Sequence, residues 1–222
     1  MGKYEEIKEV YNRLFQLDPR LWADLRKASP RDIVRRTEVR FNEAEGIYEV
    51  PFLNRRYTVD AVREAMRIHD HAMGPEIDFQ VQLVLMTYLS RAGEVVPLGR
   101  MVTEKELRGG ITFFQGPHKL NTAPLLRRFG KNPRSFIDAG RRLEGAVQEY
   151  GDASFVLPAL PKLPVGFILY CGDDEFPPEM VVTFDASIEA HFQLDVVWAL
   201  VNVTVEALLA ASQHANDQDS GE

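Results

Sequence analysis

Cysteine is almost missing: Cys171 is the only one in 222 residues. A single thiol excludes an internal disulfide and any multi-cysteine zinc or iron–sulfur site within the chain. It fits a reducing compartment. Long apolar runs are short in supply as well. Uncharged stretches such as 163–172 and 196–205 hold ten residues each, half of the roughly 20 that a spanning helix needs. The opening residues, Met1-Gly2-Lys3-Tyr4-Glu5-Glu6, are charged and lack the apolar segment of an export signal. No membrane association is expected, and the cytoplasm is the expected location. There is no internal repeat of the solenoid kind. There is no Gly-x-Ser-x-Gly elbow. Paired-histidine metal motifs, the Walker lysine and the spaced-glycine dinucleotide fingerprint are missing too.

What is present is ordinary in bulk and uneven in detail. Hydrophobic residues make up 45% and charged residues 27%, enough apolar content to bury a core. One domain over 1–211 is expected, with the helical segment 1–36 a candidate subdomain and 212–222 a disordered polar tail. The net charge of −7 divides into −1 over residues 1–90, +7 over 91–142 and −13 over 143–222. A basic middle attracts phosphates, acidic small molecules or an acidic protein surface. It can equally face the acidic third of its own chain. Nucleic acid is not the expected partner.

Periodicity predicts an α+β fold: mixed helices with a mainly antiparallel sheet. Residues 4–15 and 19–28 read as helices, the second capped by Asp18 with Pro19 at its first position. Short alternating strands follow over 37–59, then a helix over 60–72. The clearest helix is 77–92, capped by Asp78, apolar nearly all round and therefore buried, with Gly93 as its stop. Residues 94–117 read as irregular or strand-like. Short helices are expected at 124–129 and 135–143. Pro158, Pro161 and Pro164 predict a stiff extended connection, leading to buried strands at 165–170 and 180–184. Asp185 caps a helix into His191, and Asp195 caps the C-terminal helix near 195–211.

The residues that carry chemistry are few. His69 and His71 point apart on a helix and meet one ion only if the segment is extended. His118 follows a Gly-Pro turn. His191 and Asp195 are four apart and can share a helix face. Arg108-Gly109-Gly110 reads as a tight turn with an arginine beside it, and Arg128 is a further cation for an anionic group. The most distinctive run is Tyr170-Cys171-Gly172-Asp173-Asp174-Glu175-Phe176-Pro177-Pro178. It concentrates three carboxylates on a proline-stiffened loop. Those carboxylates raise the Cys171 thiol pKa, the wrong direction for a nucleophile. With Asp185, they can hold a hard cation or do acid–base work. They can equally cap turns. If the two flanking strands form a hairpin, Asp185 lies at its other end. Phe176 is expected to anchor the loop by burying its ring.

The same run, Gly172–Pro178 followed by Phe184-Asp185-Ala186-Ser187-Ile188, resembles the bacterial family catalogued as domain of unknown function 3786. The resemblance extends in order through Leu83–Leu89 with Arg91-Ala92-Gly93, Glu106–Phe113, Arg128-Phe129-Gly130, Gly151-Asp152 and Leu160–Pro164. It covers about 77–209, and the N-terminal region more loosely. It implies no established activity and no catalytic residues. Its implied association is with corrinoid chemistry and with relatives bearing cysteine-rich, iron–sulfur-like regions. This chain lacks those cysteines, and it departs from the family pattern at Tyr170-Cys171 and Leu143-Glu144-Gly145.

Three functions remain open at this level. The first is a ligand-binding or accessory protein for an anionic small molecule or cofactor. The second is a carboxylate- or divalent-metal-dependent enzyme using Asp173, Asp174, Glu175 and Asp185, with Arg108 or Arg128 orienting the substrate. It requires at least two of those carboxylates to converge in a concave pocket with a basic group. The third is an interaction subunit, in a homo-oligomer or with another protein, held by the charge split.

Overall fold

Asp18 opens the first described helix, α1 (Pro19–Lys27), by accepting the Arg20 N–H at 2.9 Å, with Pro19 in the first turn. The computed structural model describes residues 16–69 and 77–219, with side chains through 213. The helix expected over 4–15 lies outside the described residues, as do Asp70 and His71. Leu21, Trp22 and Leu25 form the buried face of α1. Helix α2 (Pro30–Thr37) ends where Glu38 turns left-handed at φ 57°.

Four short strands then form an antiparallel meander: β1 (Arg40–Asn42), β2 (Ile47–Phe52), β3 (Arg55–Asp60) and β4 (Ala65–Ile68). The last of these replaces the helix expected over 60–72. Asp60 is the reason. Its carboxylate accepts the N–H groups of Val62 and Arg63 at 2.9 and 2.8 Å, an arrangement that competes with helix formation. Glu64 then takes φ 51°, and the chain returns with Ala65 opposite Asp60.

Helix α3 (Phe79–Arg91) is capped by Asp78, which accepts the Gln80 N–H at 2.8 Å. Val84, Leu85, Met86, Tyr88 and Leu89 are all fully buried, as apolar residues around the whole cylinder require. Gly93 is not a left-handed stop. It lies against Ala190, whose carbonyl accepts its N–H at 3.1 Å and would sit 2.7 Å from any added Cβ.

The second sheet has five antiparallel strands in the order β5-β9-β8-β7-β6. They are β5 (Met101–Thr103), β6 (Ala146–Gln148), β7 (Ala153–Leu160), β8 (Leu163–Tyr170) and β9 (Glu179–Asp185). Between β5 and β6 run α4 (Gly110–Phe113), a 3₁₀ turn at Gly116–His118, α5 (Ala123–Phe129) and α6 (Pro133–Arg142). The three prolines do not form a separate connector. Pro158 pairs with Pro164 inside the β7–β8 hairpin, with a register shift between Pro158 and Leu160. Phe155 of β7 packs on Phe136 of α6 at 4.6 Å between ring centres. Gly140 makes room there, since a Cβ would stand 2.4 Å from the Phe155 ring.

After β9, a 3₁₀ turn at Ala186–Ala190 leads into α7 (Leu194–Asp219). This helix starts at Leu194, so Asp195 lies in its first turn, and it continues beyond the end expected near 211. Its stretch Leu194–Gln213 is long and apolar enough to match a membrane span, with mean hydropathy 1.7, yet 67% of that window is buried inside the fold. α7 packs on α3, α5 and α6, which makes it a core helix of this α+β fold.

The two sheets meet where the Leu53 N–H donates to the Ala159 carbonyl at 2.8 Å. Deeper, the Tyr88 hydroxyl donates to the Thr37 carbonyl at 2.7 Å and accepts the Lys162 N–H at 3.3 Å. Tyr88→Phe strands both groups in the interior. The expected cost is about 1–3 kcal/mol, read as a lower urea midpoint with an unchanged slope; a midpoint equal to that of the parent would show that this joint carries no stability.

Candidate functional site

The antiparallel pairing of β8 with β9 sets Tyr170 opposite Glu179 and Val165 opposite Phe184. The acidic loop 171–178 therefore sits at one end of the hairpin and Asp185 at the other. Asp173 closes a turn: its carboxylate accepts the N–H groups of Phe176 and Glu175 at 2.7 and 2.8 Å. Those donors hold its carboxyl below the usual range. Asp174 and Glu175 are exposed.

Phe176 does not anchor the loop, since it is 67% exposed. The anchor is backbone and proline. The Gly172 N–H donates to the Gly130 carbonyl at 3.1 Å. Pro178 sits so close that a Cβ on Gly172 would lie 2.6 Å from it, and one on Gly130 would lie 2.8 Å away. The adjacent Cys171 thiol is pushed up by burial and by the Asp152 carboxylate.

The other expected site residues also serve the backbone. Asp185 is buried and accepts the N–H groups of Leu98, Gly99 and Ser187 at 2.9, 2.7 and 2.9 Å. Burial works against its charge, but the Ser187, Leu98 and Gly99 donors outweigh it and bring the carboxyl down. Gly109 is left-handed at φ 79°, and Gly110 approaches the Glu104 carbonyl where a Cβ would stand 1.9 Å from the oxygen. Arg108 has an exposed side chain, and its N–H donates to Glu189 at 2.7 Å. The Arg128 guanidinium donates to the Ser212 hydroxyl at 3.2 Å and to its carbonyl at 3.4 Å. The carboxylates do not converge, so the geometry that the metal or acid–base reading requires is not formed. Among the described residues no group of three or more His, Cys, Asp or Glu is arranged to hold a metal.

Asp185 does have an indirect role in a different place. By capping the 3₁₀ turn that follows β9 it sets the position of His191. His191 lines a cavity of about 310 Å³ between the start of α1, the second half of α3, this turn and the start of α7. The imidazole is 3% exposed, and neither Nδ1 nor Nε2 has a hydrogen-bond partner. Burial pushes its pKa down and the Lys162 cation adds to that, with Asp185 opposing. The ring is therefore neutral, one nitrogen a donor and the other an acceptor. It lies 6.4 Å from the Tyr88 ring. Leu21, Leu83 and Val196 supply apolar wall; Asp18, Arg91, Glu189 and Asp195 bring both signs of charge.

Two other features compete with this cavity. Asn202 is also fully buried with an unpartnered amide, but it lines none of the described cavities. A larger cleft, about 550 Å³, runs from Phe52–Tyr57 to α7. Its Arg142 is committed to the Ala211 carbonyl at 2.8 Å. The sequence points to His191 only through its spacing from Asp195. Arg91 and Asp18 carry no signal of their own, because neighbours from distant segments give them their place.

Residues 29–207 match the family described as Domain of unknown function (DUF3786), and the chain belongs to that family. No curated protein and no solved structure matches it. The matched span holds the acidic loop, Arg91 and His191, and it leaves Asp18 outside.

Two outcomes follow for stability. Phe176→Ala is expected to stay within about 0.5 kcal/mol of the parent, whereas Gly172→Ala, forced against Pro178, costs roughly 1–3 kcal/mol in chemical denaturation; the reverse ranking would restore the ring as the anchor. The second concerns pH. Because the folded imidazole titrates below its unfolded value of about 6.5, the unfolded chain takes up the proton first. Stability is then fully present above that pH and declines as the pH falls below it. His191→Phe should remove this component of the pH dependence in melts taken from pH 7.5 to 5; an unchanged profile would place the titration elsewhere.

Proposed function

We propose that this family member is a ligand-binding or accessory protein whose site is the His191 cavity. The observation that carries the reading is the buried imidazole with both nitrogens unpartnered, in a residue that helps to line a cavity. A buried polar group without a partner costs free energy, and an apolar side chain would fill the same place without that cost. A bound molecule that turns the ring toward the cavity and hydrogen-bonds it removes the penalty. His191 has no hydrogen-bonded partner to relay a proton, which favours recognition over acid–base turnover.

The cavity also redirects the expected ligand chemistry. Its volume is at the small end of ligand pockets, so it suits a metabolite and not a corrin macrocycle. Arg91 lines it, and takes over the anion-binding role expected of Arg108 and Arg128. The half-buried, weakly acidic Cys171 thiol suits a reducing cytoplasm.

A second reading rests on a different corner. Tyr150, Tyr170 and Phe176 are 62%, 45% and 67% exposed beside Asp173, Asp174 and Glu175. The Asp152 N–H to the Leu169 carbonyl, at 2.9 Å, ties the Tyr150 turn to this end of β8. Exposed aromatics among carboxylates suit a basic protein partner. Binding lost in moderate salt would support it, and salt-insensitive binding would remove its basis.

The test of the first reading is a thermal-shift screen with amino acids, nucleotides, phosphorylated metabolites and tetrapyrroles, run on the parent and on His191→Phe. The variant is expected to melt at or above the parent temperature and to lose every ligand-induced shift. Failure of all compounds to stabilise the parent, or shifts that survive in the variant, would overturn the site.

A further inference from the structure

We infer that the open face of the second sheet is the contact surface of a homodimer, in which two copies of the chain pack face to face. This goes beyond the His191 reading and does not depend on it. Alternation along the strands separates two faces. Phe155, Leu157, Val165, Phe167, Val182 and Phe184 point to the side covered by α6, where Phe136 meets Phe155, and all are buried. On the other side Met101, Val156, Pro164, Ile168, Val181 and Thr183 remain partly exposed. Ile168 stands opposite Val181, and Gly166 opposite Thr183. A Cβ added to Gly166 would meet the Thr183, Met101 and Val156 side chains, so residues of four strands share one surface. An antiparallel sheet with one solvated face normally turns polar residues outward. Here valine, isoleucine, methionine and proline take outward positions. The carboxylates on this side stand at the two ends of β9. Glu179 is exposed at one end, and Asp185 is buried at the other, holding the Leu98 and Gly99 N–H groups.

Charge selects the occupant. Strands β6 to β9 lie in the 143–222 segment, which carries a net −13, yet the middle of this face has no charge. A basic protein has no carboxylate there to pair with. Anionic lipid headgroups are repelled by the acidic surroundings. Two copies repel each other wherever their acidic surfaces meet, and this face lets them touch without setting like charges together. A second copy also presents an equal apolar face, as a two-fold contact requires. The area suffices. Strands β7, β8 and β9 have 8, 8 and 7 residues. At roughly 3.3 Å per residue and about 4.8 Å between strands, they and the two short edge strands make a face of roughly 450 Å² in plan. Side chains standing above the plane add to it, and two such faces reach the ~1,000 Å² of a specific interface. Pairing edge to edge is disfavoured, because β5 and β6 are three residues long each.

Sedimentation velocity of the full chain at rising concentration is expected to show a dimer of the 25.3 kDa chain that persists from low to moderate salt. Ile168→Lys combined with Val181→Lys sets like charges against each other across the two-fold axis and should weaken the dimer about a hundredfold or more. Ile168→Thr combined with Val181→Thr keeps both positions β-branched and should weaken it about tenfold through lost apolar burial. This milder pair carries the test if the lysine pair has no cooperative melt. Val62→Lys, at an apolar residue that is 81% exposed outside this sheet, should leave the dimer unchanged. A chain that is monomeric throughout, a dimer that dissociates in salt, or a dimer indifferent to both double variants overturns the proposal. A monomer that instead binds neutral vesicles or another protein through this face overturns it equally.

Discussion

The Tyr88 hydroxyl is the joint on which the rest of the structure turns. It is carried by the most buried helix and stands where the end of α2 meets the β7–β8 turn. A hydroxyl at that depth must be paired, and it is paired twice, to the Thr37 carbonyl and the Lys162 N–H. Those two bonds fix α3 relative to segments that come from opposite ends of the matched span. Lys162 reinforces the joint from a nearly buried side chain, its Nζ 3.4 Å from the Arg35 carbonyl and 3.6 Å from Glu38. On the other side of the Tyr88 ring lie His191 and Phe192, at 6.4 and 6.2 Å between ring centres. The same residue that joins the end of α2 to the β7–β8 turn therefore packs beside two residues that line the cavity.

Around this joint most polar groups have found partners, and the exception is instructive. Thr37 returns its hydroxyl to the Ile33 carbonyl at 2.6 Å, and Asp185 takes up three backbone donors. His191 sits between those satisfied groups with nothing on either nitrogen. Burial, and after it the nearby Lys162 cation, makes protonation unfavourable, so the ring does not become charged and attract a carboxylate. A neutral, unpaired imidazole in a residue that lines a cavity costs free energy, and that cost is the physical content of the functional reading.

Much of this was legible in the sequence, and the misses share a cause. The α1, α3 and α7 patterns were plain because their apolar faces are set by local periodicity. Strands β8 and β9 were plain because both are apolar, while their pairing stood only as a condition; the fold meets it, and with it comes the separation of Asp185 from the acidic loop. The helix misread over 60–72 failed because one carboxylate, on Asp60, captured two N–H groups and turned the chain. Phe176 failed because an aromatic followed by two prolines gives no sign of which way the ring points. Its exposure depends on Gly130 and Pro178, neither of which speaks for it locally. The cavity was the least legible feature, since its 189–196 run is closed into a cavity only by residues of α1 and α3 that are distant in the chain.

The charge split shows why composition pointed near the site without reaching it. The basic stretch 91–142 carries a net +7, and from that an anion site at Arg108 or Arg128 was a fair expectation. In the fold, Arg128 and Arg142 spend their donors on Ser212 and Ala211. There they satisfy oxygens along α7. Such residues count as positive charge in the sequence while acting as hydrogen-bond donors to the backbone. Arg91, the first residue of the same stretch, has no such carbonyl among its described hydrogen bonds and lines the cavity instead. The sum over a segment cannot separate the two uses, because the difference lies in which distant carbonyl comes within reach. A cation is available for recognition only where the fold leaves it without such a carbonyl, and among the residues lining the cavity Arg91 is so placed.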